Sequence, residues 1–149
     1  DYTPPTLKSI SFSEDTDLTK FTASAGERFE VYYDAEDQSG ISNARVTFRN
    51  ETGLEIYGYD YDDDGVITIN PNSDLPNGLY TFNSFQVSDG RNSGTLQKNG
   101  VYGFYDSQYN ESVNQLYDAA FEGLSLTITG GSEEQTDYIP PVLSSVRIV

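Results

Sequence analysis

Glu55-Ile56-Tyr57-Gly58-Tyr59-Asp60-Tyr61-Asp62-Asp63-Asp64-Gly65-Val66-Ile67-Thr68-Ile69 holds two runs of period two joined by a turn signal. Ile56 and Gly58 fall on one side of the first run, and Tyr57, Tyr59 and Tyr61 fall on the other; Ile67 and Ile69 alternate in the second. Successive side chains of a strand point to opposite faces, so this spacing predicts two half-buried strands. Asp64-Gly65 between them suits a type I′ hairpin turn. The same alternation extends outward in both directions. Phe29, Val31 and Tyr33 alternate in residues 27–34, Val46 and Phe48 in 44–49, and Leu54 joins Ile56 in 53–61. Further strands are expected at 7–13, 79–88, 94–104 and 123–129, separated by the turn dipeptides Ser39-Gly40, Asn77-Gly78, Asp89-Gly90 and Asn99-Gly100.

One stretch reads differently. In residues 112–122, Val113, Leu116 and Ala120, with Tyr117 and Phe121, make an apolar stripe at helical spacing, and Ser112 or Asn110 is available as a cap. Tyr102, Tyr105 and Tyr109 beside Phe104 would seat this helix. About eight short strands with regular turn signals and one short helix predict an all-β chain, an antiparallel β-sandwich of immunoglobulin type. Gly78-Leu79-Tyr80, opening a late strand, suits the position of a tyrosine corner.

Composition narrows the chemistry. Among 149 residues, 24 Asp and Glu oppose 8 Lys and Arg, a formal charge of −16. A hydrophobic content of 36% still supplies a core, so the acidity does not signal disorder. With no Cys and no His, disulfides, thiol catalysis, Cys-ligated zinc and the commonest general base are excluded. The charge repels phosphate backbones and anionic membranes, and no run approaches the ~18 apolar residues of a membrane span. Neither a nucleic-acid partner nor membrane insertion is expected. No glycine-rich phosphate loop and no marked acid pair in a cleft is present, so the chain reads as a non-enzyme.

The two ends repeat one another. Asp1-Tyr2-Thr3-Pro4-Pro5-Thr6-Leu7-Lys8-Ser9-Ile10-Ser11-Phe12 returns as Asp137-Tyr138-Ile139-Pro140-Pro141-Val142-Leu143-Ser144-Ser145-Val146-Arg147-Ile148, with six identities in twelve positions at an offset of 136 residues. A fixed-period recurrence marks a tandem array. It divides the chain into one repeat at 1–130, a linker at 131–141, and the first strand of a following repeat at 142–149.

Taken together, the Asp1-x-x-Pro4-Pro5 opening, Ala35-Glu36-Asp37-Gln38-Ser39-Gly40-Ile41, Leu75-Pro76-Asn77-Gly78-Leu79-Tyr80 and Val87-Ser88-Asp89-Gly90-Arg91-Asn92 resemble bacterial immunoglobulin-like repeats. Such repeats build large secreted and surface proteins, including the extender regions of RTX-type adhesins. The resemblance implies a structural extender module in a cell-surface adhesin, monomeric as an isolated repeat, whose partners are neighbouring repeats of the same chain. The implied setting is extracellular, on a Gram-negative bacterium.

Two constellations remain as candidate sites. Asp60, Asp62 and Asp64 stand at positions 1, 3 and 5 of an EF-hand-like loop, with Gly65 at 6 and the Val66 carbonyl at 7. Position 12 is Pro71, so the bidentate Glu is missing and neighbouring loops would have to complete a Ca²⁺ site. Along an extended strand alternate carboxylates stand about 7 Å apart and repel by only about 0.6 kcal/mol per pair in water, which demands no metal. Strand parity predicts that loops 34–40, 60–65 and 88–92 gather at the end where Asp1 enters, with 70–78 at the far end. Asp1, Glu36, Asp37 and Asp89 would then join the aspartates of the 60–65 loop around calcium, and Asp137 would play the part of Asp1 for the next unit. The second constellation is the row Tyr57, Tyr59, Tyr61. It supports an alternative function, a carbohydrate-binding or ancillary module of a secreted polysaccharide-active protein, with glycans as partners.

Overall fold

In the computed structural model, which describes residues 5–14, 18–106, 111–116 and 124–132, each run of period two lies on a strand. The chain is all-β. The strands are β1 (Thr6–Ser11), β2 (Lys20–Ser24), β3 (Phe29–Glu36), β4 (Asn43–Arg49), β5 (Glu55–Asp60), β6 (Val66–Ile69), β7 (Gly78–Ser88), β8 (Ser93–Gln97), β9 (Val101–Asp106), β10 (Glu111–Leu116) and β11 (Ser125–Thr129). They form one curled sheet in the order β1-β3-β6-β5-β4-β7-β8-β9-β10, with β11 pairing both β7 and β2.

Three expectations are corrected. The helix expected at 112–122 is not seen where that stretch is described: residues 112–116 belong to strand β10, paired with β9 from Glu111↔Asp106 to Leu116↔Val101. Ser112, Val113 and Asn114 are poor helix formers, and the free edge of β9 offers them a full hydrogen-bond ladder. Residues 117–122 of that stretch, like Asp1, Asp137 and 142–149, lie outside the described residues. The single strand expected at 94–104 is a hairpin, folded back where Gly100 N donates to Gln97 O at 2.9 Å. The sheet is also mixed rather than purely antiparallel. β2, which carries only a weak alternation, runs parallel to β11 from Lys20↔Ser125 to Ser24↔Thr129, a pairing that needs the long crossover between them.

The core follows from alternation. In β7, Tyr80 and Phe82 point inward, and so do Phe85 and Val87; the parity changes because Asn83 is an extra residue, where the β4 register jumps from Thr47↔Ser84 to Phe48↔Phe82. A bulge of this kind bends the strand and sharpens its twist, which helps the sheet curl over its own inner face. Phe12 stacks on Phe21 and Phe48 with ring centroids at 5.4 and 5.6 Å at one end of the core. Tyr33 meets Phe85 at 5.3 Å toward the other. Each fully buried aromatic contributes about 1.5–3 kcal/mol relative to exposure.

Tyr80 is wholly buried, and its hydroxyl donates to the Pro76 carbonyl, four residues upstream, at 2.8 Å. That contact pins the crossing into β7. Tyr80→Phe keeps the ring and strands the carbonyl, so urea unfolding should show a loss of about 1–2 kcal/mol with an unchanged m value. The same corner receives the chain as it leaves β11: Ser132 N donates to Leu75 O at 3.0 Å, Asn77 N to Ser132 O at 2.9 Å, and Gly131 N to Asn77 Oδ1 at 2.7 Å. The described chain therefore starts beside Glu36 and finishes beside Asn77, at opposite ends of β3, β4 and β7.

Candidate functional site

Period two in β5 decides where the first carboxylate goes. Ile56, Gly58 and Asp60 occupy the inward positions, so Asp60 is carried to the rim of the core and is only 4% exposed. Gly58 is the hinge of this arrangement. A Cβ there would stand 2.7 Å from Ile69 Cγ1 and 2.8 Å from Ile67 Cγ2, so only glycine lets β5 lie this close over β6. A buried carboxylate needs donors, and Asp60 has two. Tyr33 Oη donates to Oδ2 at 2.5 Å and Asp62 N donates to Oδ1 at 3.0 Å. Burial first, and then the Asp60 carboxylate, push the Tyr33 phenol far above its ordinary range, so it remains a donor at all working pH.

Beyond Asp60 the chain does not make the two-residue turn expected at Asp64-Gly65. β5 and β6 pair only at Tyr59↔Thr68, and the connection between them turns through Asp63 at φ 53° and Gly65 at φ 76°. Asp64 Oδ1 accepts from Val66 N at 3.0 Å, and Gly65 O from Tyr33 N at 2.9 Å, which fastens the loop to β3. One carboxylate oxygen each of Asp60, Asp62 and Asp64 thereby lies within 4.8 Å of the others. That is well inside the spacing of an extended strand. At this separation each pair repels by about 0.9 kcal/mol in water and about 3.5 kcal/mol at an effective dielectric constant of 20. The three aspartates could hold a metal ion, and oxygen-only ligation suits a hard cation. Val66 opens β6 opposite Tyr32, and its N–H faces Asp64.

The other loops arrive as strand parity expects. Ile41 N donates to Asp63 Oδ2 at 3.3 Å, joining loop 37–42 to the aspartate loop. Ser42 N donates to Ser88 O at 2.8 Å, joining it to loop 89–92. Loop 70–78 lies at the far pole with Gly131 and Ser132. Not every predicted ligand joins the trio. Glu36 accepts from Lys8 Nζ at 2.6 Å in an exposed ion pair. Asp37 and Asp89 form a second acidic pair. Asp89 Oδ1 accepts from Arg91 N at 2.8 Å and Asn92 N at 2.6 Å, and Asp37 Oδ2 from Ser39 N at 2.8 Å. Asp63 was missed as a residue with a task of its own. It lines, with Thr6, Asp37 and Ile41, the cleft between the loops, and the only sequence signal was its place in an unbroken acidic run.

The Asp37–Asp89 pair has a pH signature. Burial raises the Asp37 carboxyl, as does the neighbouring Asp89 carboxylate. Burial also pushes Asp89 up, but the N–H groups of Asn92 and Arg91, the Asn92 side chain and Asp37 outweigh it and hold Asp89 below 3.8. A group raised on folding stabilises below its unfolded value and loses that contribution as pH rises through the folded one; a lowered carboxylate stabilises above its unfolded value and loses that as pH falls. In metal-free buffer Asp37→Asn should therefore melt higher than the parent at pH 7. The advantage should vanish as pH falls through the raised Asp37 value, above 3.8. Melting curves of both proteins from pH 7 to the carboxylate range check it.

On the outer face of β4 and β5, Tyr57, Tyr59 and Tyr61 are exposed, as their alternation requires. They do not form a flat platform. Tyr59 and Tyr61 stack on one another at 5.6 Å and 13°, while Tyr57 meets Tyr59 edge-on at 81°.

Among the described residues no helix is long and apolar enough to cross a membrane. No protein-family model matches this chain, and no curated protein does.

Proposed function

We propose that this protein is a non-catalytic structural module of a tandem array, an immunoglobulin-like β-sandwich stiffened by Ca²⁺ at its amino-terminal pole. The observation that carries the reading is the convergence of Asp60, Asp62 and Asp64 within 4.8 Å. That cluster sits at the end of the fold where β1 begins beside Glu36. Calcium takes six to eight oxygens in flexible geometry; the trio would supply three of them, and water or groups of the neighbouring loops 37–42 and 89–92 would supply the rest. The Tyr80 corner supports the immunoglobulin-like reading, since that fold places a tyrosine at the start of a late strand with its hydroxyl bonded upstream.

The described residues begin and finish at opposite ends of β3, β4 and β7, which suits end-to-end stacking, and the recurrence of Asp1-Tyr2-x-Pro4-Pro5 as Asp137-Tyr138-x-Pro140-Pro141 would supply the next unit. An ion held where one unit meets the next would restrict bending at the junction, the mechanical property an extender of a bacterial surface adhesin needs. Small-angle scattering of a two-unit chain tests this. Ca²⁺ should lengthen its maximum dimension and reduce flexibility, and EDTA or Asp62→Asn/Asp64→Asn should reverse both. Equal dimensions in all samples would remove the mechanical role.

A further inference from the structure

We propose that the outer face of β4 and β5 carries a binding site for carboxylated polysaccharide, with Arg45 as its anion receptor. Arg45 stands directly across from Tyr59 on the neighbouring strand. Its guanidinium lies over the Tyr57 ring at 5.0 Å and the Tyr59 ring at 5.4 Å, in the corner those two rings make. Stacking of this kind holds a planar guanidinium in one orientation, so little freedom is lost when it grips a carboxylate.

Arg45, like most of the cations among the described residues, has no ion-pair partner, and its ring contacts and its Nε set it apart. Its Nε is buried with no hydrogen-bond acceptor among the described residues, so the guanidinium is held in place by the two rings, and its terminal N–H groups are the ones left to meet a ligand. A cation pre-oriented by two aromatic rings and left unpaired fits a carboxylate supplied from outside.

The surroundings favour a sugar acid over an acidic peptide. Tyr61 is 68% exposed although one side of its ring covers Tyr59, so the other side is open to an apolar sugar face. Continuing across the sheet from Arg45, the cross-strand partners are Gln86 and then Thr95, amide and hydroxyl groups suited to sugar hydroxyls. Glu55 at one end of the row and Asp62 at the other repel a polyanion. Binding should therefore persist as salt screens the long-range repulsion, because the contact at Arg45 is far shorter than the ~10 Å Debye length at 0.1 M.

The test uses alginate, a polyuronate, in EDTA, so that its outcome is independent of the cation site. Dextran serves as neutral control and polyglutamate as acidic peptide. Affinity electrophoresis should show retardation by alginate and not by dextran. Arg45→Gln should weaken the alginate Kd at least tenfold, Tyr61→Ala several-fold, and Arg45→Lys should recover only part of the loss. Tyr61 is too exposed for its truncation to unfold the chain, so that variant remains informative if Arg45→Gln is unstable. No retardation by alginate, equal retardation by dextran or polyglutamate, or unchanged affinity in Tyr61→Ala would overturn the proposal.

Discussion

Millimolar Ca²⁺ is expected to raise the melting temperature of this protein by about 5–11 °C over its value in EDTA at constant ionic strength. The size follows from linkage. A ligand at a hundredfold excess over its Kd stabilises by about 2.7 kcal/mol, and for a domain near this length each kcal/mol moves the midpoint by about 2–4 °C. The aspartate loop explains why the effect should be specific. Without a cation, three carboxylate oxygens within 4.8 Å repel one another, and Asp60 cannot withdraw because β5 delivers it to the core rim, where Tyr33 holds it. Asp62→Asn/Asp64→Asn removes two charges from exposed positions. That variant should melt above the parent in EDTA and below it in Ca²⁺. The crossing of the two orders separates a bound ion from general screening, which would shift both proteins alike. Mg²⁺, which demands tight octahedral geometry and keeps its waters, should give a smaller rise.

Gly94→Ala should cost about 3–5 kcal/mol, a loss on the scale of removing a core aromatic. Gly94 sits on the inner side of β8 across from Phe104, and the Tyr102 side chain occupies the space a Cβ would need. The added carbon would lie 2.0 Å from the Tyr102 hydroxyl oxygen and 2.2 Å from Cζ, far inside any tolerated contact. Tyr102 cannot simply step aside. It is 2% exposed, and its hydroxyl donates to the Pro5 carbonyl at 2.6 Å, tying β9 to the start of β1. Expelling the ring opens the core and frees the first strand together. Tyr102→Ala alone should cost a similar amount, whereas the double variant should cost much less than the sum, because the second change then meets an empty site. Additive losses in urea unfolding would show that Gly94 acts through something other than Tyr102.

What could be read from the chain alone was whatever depends on near neighbours. The alternation of Ile56, Gly58 and Asp60 against three tyrosines is local and appears in the structure as read, whereas the aspartates spaced one-three-five bring one oxygen each within 4.8 Å, closer than an extended strand would place them. Tyr80 was equally legible, because a corner tyrosine bonds only four residues upstream. Loop convergence followed from counting strands, which needs parity and no detail. Pairing between distant segments was not legible. β2 gains its place from β11, about a hundred residues away, and its own residues 20–24 carry little pattern. Val113 and Leu116 suit a helix three residues apart, but the open edge of β9 decides their backbone. The Asn99-Gly100 dipeptide was visible as a turn, yet it fell inside the strand expected at 94–104, and the pairing of β8 with β9 that makes it a hairpin was not read from it. Arg45 was invisible because its place depends on two rings of the next strand, which only the cross-strand pairing brings over it.

The most direct test of the cation site is isothermal titration of Ca²⁺ into protein stripped with EDTA and then freed of chelator, in moderate salt. The parent should show saturable binding that is lost in Asp62→Asn/Asp64→Asn, with both proteins folded by circular dichroism. Binding undiminished in the variant, or none in the parent, would contradict a calcium site built on Asp60, Asp62 and Asp64.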